Sequence, residues 1–318
     1  VFLRHVDGSD ELRAAPVTNH RYALSALGAA AACTIKPSDT VYCCIPLHHP
    51  TSLMASVGSA LASGARFALA ERFDPDRFEA EVRRAGATLV FYAGDMLRPL
   101  LRRKIARSLP VRLFAGSGMR KDLARKLSER FGVRTMEFYA GTTHRAILAN
   151  VDGTKPGALG RVLPGSDPID VARVDLGKKS PVRDDAGDLL FAGREQQGLL
   201  AVRAEQWITT TDVVRRDEDG DYWFIDSLSG FVGQVSTRAI EDAFYEELEV
   251  DLAAAYGVGQ DVWVAYVGDV APERVRAFLE ARDQPRVAVR VDEIPLTEGF
   301  RPKKSGLPRT RNDPRVRR

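Results

Sequence analysis

Up to about residue 140, short continuous apolar runs alternate with longer stretches that carry a single apolar stripe. The runs are Val41-Tyr42-Cys43-Cys44-Ile45-Pro46-Leu47, then 66–70, 88–92, 111–115 and 133–138. Such runs fit strands buried on both faces. The stripes predict a helix over 20–36, with Leu24, Leu27 and alanines on one face and Lys36-Pro37 as its stop. A small-residue helix over 51–63 ends at Gly64. Asp74-Pro75 reads as an N-cap with proline in the first turn, opening a helix that carries Phe78 and Val82 at i, i+4. Further helices are expected over 95–107 and over 119–130, the latter with Met119, Leu123 and Leu127 on one face. Strands alternating with helices imply right-handed crossovers and a parallel sheet covered on both sides.

From about residue 150 the texture changes. Gly, Pro and Asp become frequent, and short β-like pieces fall at 169–174, 188–191, 198–203 and 222–225. After Asp226 the pattern is α+β: a helix near 237–247, strands at 252–256 and 262–267, a helix at 271–282 and a strand at 286–291. The expected class is therefore α/β in four parts: a parallel-sheet part over 1–150, a β-rich subdomain over 151–226, a small α+β domain over 227–301 and a basic tail over 302–318.

Composition fits a soluble globular protein, with 44% hydrophobic and 28% charged among 318 residues. No apolar run approaches the ~18 residues of a membrane span, and no charged-then-apolar leader opens the chain. It starts on Val1, as a piece of a longer polypeptide would. Cys33, Cys43 and Cys44 are too few for a disulfide framework and match no metal spacing. They read as buried thiols in a reducing, cytoplasmic setting. The net charge of +3 is uneven, since residues 301–318 hold eight basic residues and one acidic. That tail is either a solvated, partly disordered end or a contact for nucleic acid or for anionic lipid at the inner membrane surface. Nothing indicates sequence-specific nucleic-acid recognition.

Six strings, in order, resemble one family. Ile45-Pro46-Leu47-His48-His49 looks like L-P-L-Y-H, and Gly116-Ser117-Gly118-Met119-Arg120 looks like G-N-G-L-R. Glu137-Phe138-Tyr139-Ala140-Gly141-Thr142-Thr143 is similar to E-F-Y-G-A-T-E. Residues 207–226 resemble T-G-D followed by R-R-D-E-D-G-Y-L-W-F-x-D-R. Val235-Ser236-Thr237 with Ile240-Glu241 resembles N-V-S-T-x-E-V-E, and residues 293–301 resemble I-P-L-T-x-T-F-K. These are motifs of adenylate-forming enzymes, in the fatty acyl-CoA synthetase and fatty-acid-transport-protein branch. The resemblance implies a partial synthetase-like large domain, a hinge near Asp226 and a small carboxy-terminal domain. It also implies about 200 further residues upstream in complete members, and chemistry that uses ATP, Mg and CoA on a fatty acid.

The same resemblance shows what has been replaced. Aligned on Ala14-Ala15-Pro16-Val17-Thr18-Asn19, the family's phosphate loop corresponds to 4–13, where only Gly8, Ser9 and Arg13 are reminiscent of it. Asp7, Asp10 and Glu11 put negative charge where a triphosphate would lie. Like charges ~5 Å apart at an effective dielectric of ~20 repel by roughly 3 kcal/mol, about two decades of affinity. The alternative reading of this segment is an ordinary solvated hairpin. Thr143 stands for the metal-binding Glu, and Ser227 for the Arg that accompanies the ribose carboxylate. The hinge loop is shortened to residues 228–234.

What remains is Tyr139 at the adenine position, or equally a buried tyrosine supporting a strand end, Asp212 at the ribose position, and Thr142, Gly118 and Arg13 around a vestigial nucleotide site. His49 matches the histidine beside the acyl pocket, although a histidine at a strand end is also a common structural element. Arg301 stands for the adenylating Lys, with Lys303 or Lys304 as substitutes by a shift of register. Neither a metal site nor a nucleophile triad is evident. The expectation is a catalytically degenerate module that binds a fatty acyl chain or acyl-CoA and docks on an upstream domain or a lipid-metabolic partner. The alternatives are an active fatty acid–CoA ligase that needs ATP, Mg and CoA, or an anionic-surface binder acting through the tail.

Overall fold

The apolar runs of the first half become neighbouring strands of one sheet. The computed structural model describes residues 2–5, 12–141 and 144–317, with strands β1 (Phe2–His5) and β2 (Leu12–Ala15) described by backbone alone. The chain divides into two units, Val1–Asp167 with Glu298–Phe300, and Pro168–Thr297 with Arg301–Arg318. Among the described residues, no helix is long and apolar enough to cross a membrane.

In the first unit β1 and β2 form an antiparallel hairpin. β3 (Thr40–Cys43), β4 (Arg66–Leu69), β5 (Leu89–Ala93), β6 (Leu113–Ser117) and β7 (Arg134–Ala140) pair in parallel in the order β4-β3-β5-β6-β7. β8 (Ile147–Asn150) and β9 (Ala158–Val162) continue the sheet antiparallel beyond β7. Every position of β3 and β5 is buried, as strands covered on both faces require. The helices are α1 (Asn19–Ala32), a π-type helix Thr51–Val57 continuing into α2 (Gly58–Ser63), α3 (Phe78–Ala85) and α4 (Lys121–Phe131). Thr18 caps α1 by accepting from the Arg21 N–H at 3.1 Å. Gly64 ends α2 at φ +69°, a left-handed conformation that a side chain would strain.

Three local expectations are corrected. The strand expected to reach Leu47 stops at Cys43, because Pro46 has no N–H for the ladder and the chain turns there into the next helix. Asp74 caps a turn rather than the helix. Its carboxylate accepts from Asp76 N at 3.0 Å, its carbonyl accepts from Arg77 N at 3.2 Å, and α3 follows. The helix expected over 95–107 is a short 3-10 turn, Arg98–Arg102. The buried Arg98 there grips Asp122 through two bonds, at 2.8 and 3.0 Å, and Asp95 at 3.0 Å. The Leu101 and Arg103 carbonyls accept from Arg130 instead of extending a helix.

In the second unit β10 (Ile169–Ala172) precedes a two-stranded ribbon of β11 (Val174–Asp175) and β12 (Ser180–Pro181). β13 (Gln197–Arg203), β14 (Trp207–Arg216) and β15 (Tyr222–Ser227) then build the antiparallel order β10-β13-β14-β15. The piece expected at 188–191 makes only isolated bridges. β16 (Phe231–Val232) and β17 (Val235–Ser236) lead into α5 (Thr237–Ala243), which is capped by Ser236 and runs on as a π-type turn, Phe244–Leu248. β18 (Leu252–Val258), β19 (Asp261–Val267), α6 (Pro272–Glu280) and β20 (Val287–Val291) follow.

The tail is largely exposed, as its charge predicts, but it is anchored at a few points. β21 (Val316–Arg317) pairs antiparallel with β20. Leu307 is buried with Tyr256, Val289 and Val291, and Tyr256 donates its hydroxyl to the Pro308 carbonyl at 2.5 Å. Lys304, Arg315 and Arg317 pair with Glu241, Asp313 and Asp292. A few apolar anchors and ion pairs hold an otherwise polar segment.

Candidate functional site

In the first unit α1, the helix Thr51–Val57, β7 and β8 enclose a cavity of about 230 Å³. The two-residue period of β7 explains one wall. Met136 and Phe138 face the cavity, while Glu137 between them points to the other side. Ala29 of α1, Met54 and Ile147 add apolar surface, and Arg21, Tyr139, His144 and Arg145 add polar groups. No carboxylate occurs among the described residues that line it.

Arg21 donates to the carbonyls of Gly141 and, at 3.1 Å, His144. Burial lowers its pKa, and the positive charge of Arg145 adds to the shift. Arg145 is itself paired with Asp167. The Tyr139 and His144 rings stack with centroids 6.2 Å apart. A Cβ on Gly141 would lie 2.0 Å from the His144 ring, so a side chain there would displace the imidazole. Behind β7, the buried Glu137 carboxylate accepts from Tyr92 Oη at 2.7 Å, Met119 N at 3.2 Å and Gly118 N. Three donors on one carboxylate pin the loop after β6 to β7.

The expected site residues divide between the two units. Tyr139 lines the cavity, and Gly118, at φ +92°, is tied through Glu137 to the same strand. His49 Nδ1 accepts from Thr51 N at 3.2 Å, at the start of the helix Thr51–Val57, where Pro50 and Thr51 form part of the cavity wall. Arg13 lies in β2 opposite Arg4, and its side chain is not described. Thr142 and Thr143 lie outside the described residues, as do Gly8, Ser9 and the acidic Asp7, Asp10 and Glu11.

In the second unit Asp212 sits on β14 opposite Ser227, and its N–H donates to Thr210 Oγ1 at 3.1 Å. Exposed Arg301 closes a turn, with its N–H donating to Thr297 Oγ1 at 3.2 Å. Lys303 is exposed, whereas Lys304 Nζ is held at 2.9 Å by buried Glu241 and at 2.8 Å by Thr237. At the expected hinge position, the buried Asp226 carboxylate accepts from Ser236 Oγ at 2.8 Å and Arg238 N at 2.9 Å.

The sequence reading missed Arg21 and His144 as members of the site. Arg21 bonds a carbonyl 120 residues away, and no local pattern encodes such a contact. Proximity to Tyr139 was the only available pointer to His144.

Residues 15–197 match the family model of the AMP-binding enzymes. The medium/long-chain-fatty-acid–CoA ligase FadD6 of Mycobacterium tuberculosis is 30% identical over 77% of this chain and 47% of its own length. The mouse long-chain fatty acid transport protein 5 is 27% identical over 95% of this chain and 51% of its own. Among solved structures, ATP-bound MatB from Rhodopseudomonas palustris superposes with a TM-score of 0.76 at 20% identity, covering 92% of this chain and 64% of that one. The amide bond synthetase McbA from Marinactinospora thermotolerans gives 0.68 at 26% identity, covering 89% of this chain and 64% of that one. The chain belongs to the AMP-binding enzyme family. It is an acyl-CoA synthetase-like member that spans about half the length of these curated relatives.

Proposed function

We propose that this chain is an acyl-binding module in which the adenylate-forming chemistry has been lost, with a docking or regulatory role in lipid metabolism. The observation that carries this reading is the make-up of the cavity: apolar walls, the guanidinium groups of Arg21 and Arg145, and no lining carboxylate among the described residues. A ligand with an apolar body and one anionic group, such as a fatty acid or an acyl adenylate, matches both parts. Magnesium, by contrast, calls for oxygen ligands, preferably carboxylate. By the resemblance, Thr143 stands where the family has Glu, and Asp7, Asp10 and Glu11 fall in the segment that corresponds to the phosphate loop, which also supports the loss.

A second reading, an active fatty acid–CoA ligase, draws on the retained Tyr139 and Asp212, on Arg13, and on Arg301 in place of the family's Lys. In that case ATP and Mg would activate the carboxylate and CoA would accept the acyl group. Asp212 would hold the ribose, and Arg301 would stabilise charge on the transferring group. A peripheral contact of a cytoplasmic protein with anionic lipid would rest on the exposed Arg301, Lys303, Arg309 and Arg311.

The deciding experiment pairs equilibrium binding of a fluorescent fatty acid with fatty-acid-dependent ATP–pyrophosphate exchange on the full-length polypeptide. The expected result is saturable binding, weakened by Met54→Trp, with no exchange. Robust exchange that disappears in Asp212→Ala establishes the ligase instead.

A further inference from the structure

Tyr42 and Cys43 are neighbours on β3 and point to opposite faces of the sheet. The Cys43 thiol lies 3.1 Å from Ser52 Oγ, toward the helix Thr51–Val57 that walls the acyl cavity. Tyr42 faces α3 instead, where its ring meets Phe78 edge-on and its hydroxyl donates to Glu81 Oε2 at 2.6 Å. The register sets Tyr42 beside Ala68 of β4. Ala68, Ala70 just beyond it and Ala85 at the end of α3 are all short, so strand and helix leave a hollow of about 150 Å³ between them.

The rim of this hollow carries both signs of charge. Arg77 is engaged, with a guanidinium nitrogen 3.1 Å from Glu81 Oε1, on the same carboxylate that accepts from Tyr42. The Asp74 carboxylate accepts from Asp76 N through Oδ1. Exposed Glu71, Arg72 and Arg84 have no hydrogen-bond or ion-pair partner among the described residues. Arg83, next in the chain to Arg84, is by contrast held by Glu79 and the Ser108 carbonyl. The arginines of α3 are therefore paired away from the hollow, and Arg84 is left open where it lines it.

This lining selects its ligand by charge. A plain anion gains from Arg72 and Arg84 but is opposed by Glu71 and Asp74, and a plain cation meets the reverse. A molecule that carries both charges a few atoms apart gains from both pairs. Size adds a limit, because about 150 Å³ is below the ~300–1,000 Å³ of sites for drug-sized ligands. We propose that the hollow between β4 and α3 binds a small zwitterion, an α-amino acid with a short apolar side chain. Its carboxylate meets Arg72 and Arg84, its ammonium meets Glu71 and Asp74, and its side chain lies over Ala68, Ala70 and Ala85. The site stands apart from the acyl cavity and does not depend on what that cavity binds.

Ligand-observed NMR on the full-length polypeptide tests this with glycine, L-alanine and L-valine, each up to about 10 mM. Isovalerate, which is L-valine without its ammonium, and isobutylamine, which lacks its carboxylate, are the single-charge probes. The expected result is saturable binding of L-alanine or L-valine, weakened about tenfold or more by Arg84→Ala, which changes an exposed side chain. Ala68→Leu, which fills the hollow without touching a charge, is expected to abolish it. Arg83→Ala should leave it within about twofold, as a surface change outside the hollow does. Absence of binding by all three amino acids overturns the proposal. So does amino-acid binding that both Arg84→Ala and Ala68→Leu leave unchanged. Isovalerate or isobutylamine binding as tightly as L-valine, and lost in the same variants, overturns it in favour of a single-charge site.

Discussion

The Glu137 carboxylate and the Tyr92 hydroxyl, 45 residues apart in sequence, meet at 2.7 Å inside the sheet. Tyr92 is fully buried, and the same carboxylate holds the backbone N–H groups of Gly118 and Met119. Their contact joins β5, the loop after β6, and β7. A Cβ on Gly116 would lie 2.2 Å from the Tyr92 carbonyl, so β6 passes β5 at this point only as glycine. The strand that carries Tyr139 into the cavity is thereby braced from behind.

Glu137→Leu takes this acceptor from the Gly118 and Met119 N–H groups, while Tyr92 Oη keeps the Met136 carbonyl at 3.0 Å. Each buried unsatisfied donor costs about 1–3 kcal/mol, so a loss of several kcal/mol in urea unfolding is expected. Glu137→Gln keeps one acceptor oxygen and should lose less. Equal stability of Glu137→Leu and the parent would contradict the bracing role.

Arg98 is the centre of a second buried constellation. Its guanidinium serves Asp122 and Asp95, and Arg120 Nε reaches Asp95 at 3.2 Å. Replacing one partner of a buried ion pair strands the other charge at a cost of about 3–5 kcal/mol. Arg98→Met is therefore expected to be more destabilising than Arg125→Met, whose pair with Glu129 is exposed. Chemical denaturation of the two variants compares them directly.

Asp39 supplies a pH dependence. Burial raises its pKa, but the Arg112 guanidinium, the Lys36 N–H and the Thr88 hydroxyl outweigh burial and leave it at about 2. An unfolded Asp titrates near ~3.9. The folded value is the lower one, so the ionised group adds stability in full above the unfolded pKa, and that stability is lost as pH falls toward about 2. The stability gap between the parent and Asp39→Asn should therefore shrink between about pH 5 and pH 2. A gap that stays constant over this range would remove the ionic explanation.

The carboxy-terminal segment should matter to the second unit in spite of its charge. Leu307→Ala removes a buried side chain and is expected to cost about 2–5 kcal/mol. Deleting 306–318 also removes β21 and should lower the thermal midpoint further. An unchanged midpoint after deletion would mean that the segment does not hold the sheet.

Much of this protein could be read without its structure. Buried strands must be apolar throughout, so β3 and β5 stand out as runs, and the amphipathic stripe of α4 shows at Leu123 and Leu127. Gly64 acts within a few residues of itself, which makes a stop legible. The motif strings were legible too, because they are contiguous. β14 was missed, since its threonines and charges at half-exposed positions carry no apolar run.

Tertiary structure alone decided the rest, because those features depend on partners far along the chain. Whether 95–107 would be helical turned on Asp122, and where the basic end is anchored turned on Tyr256 and β20. Arg21 became part of a cavity only when β7 delivered Gly141 to it. Spacing along the chain reports local geometry, and a contact across 120 residues is set by which surfaces the fold brings together.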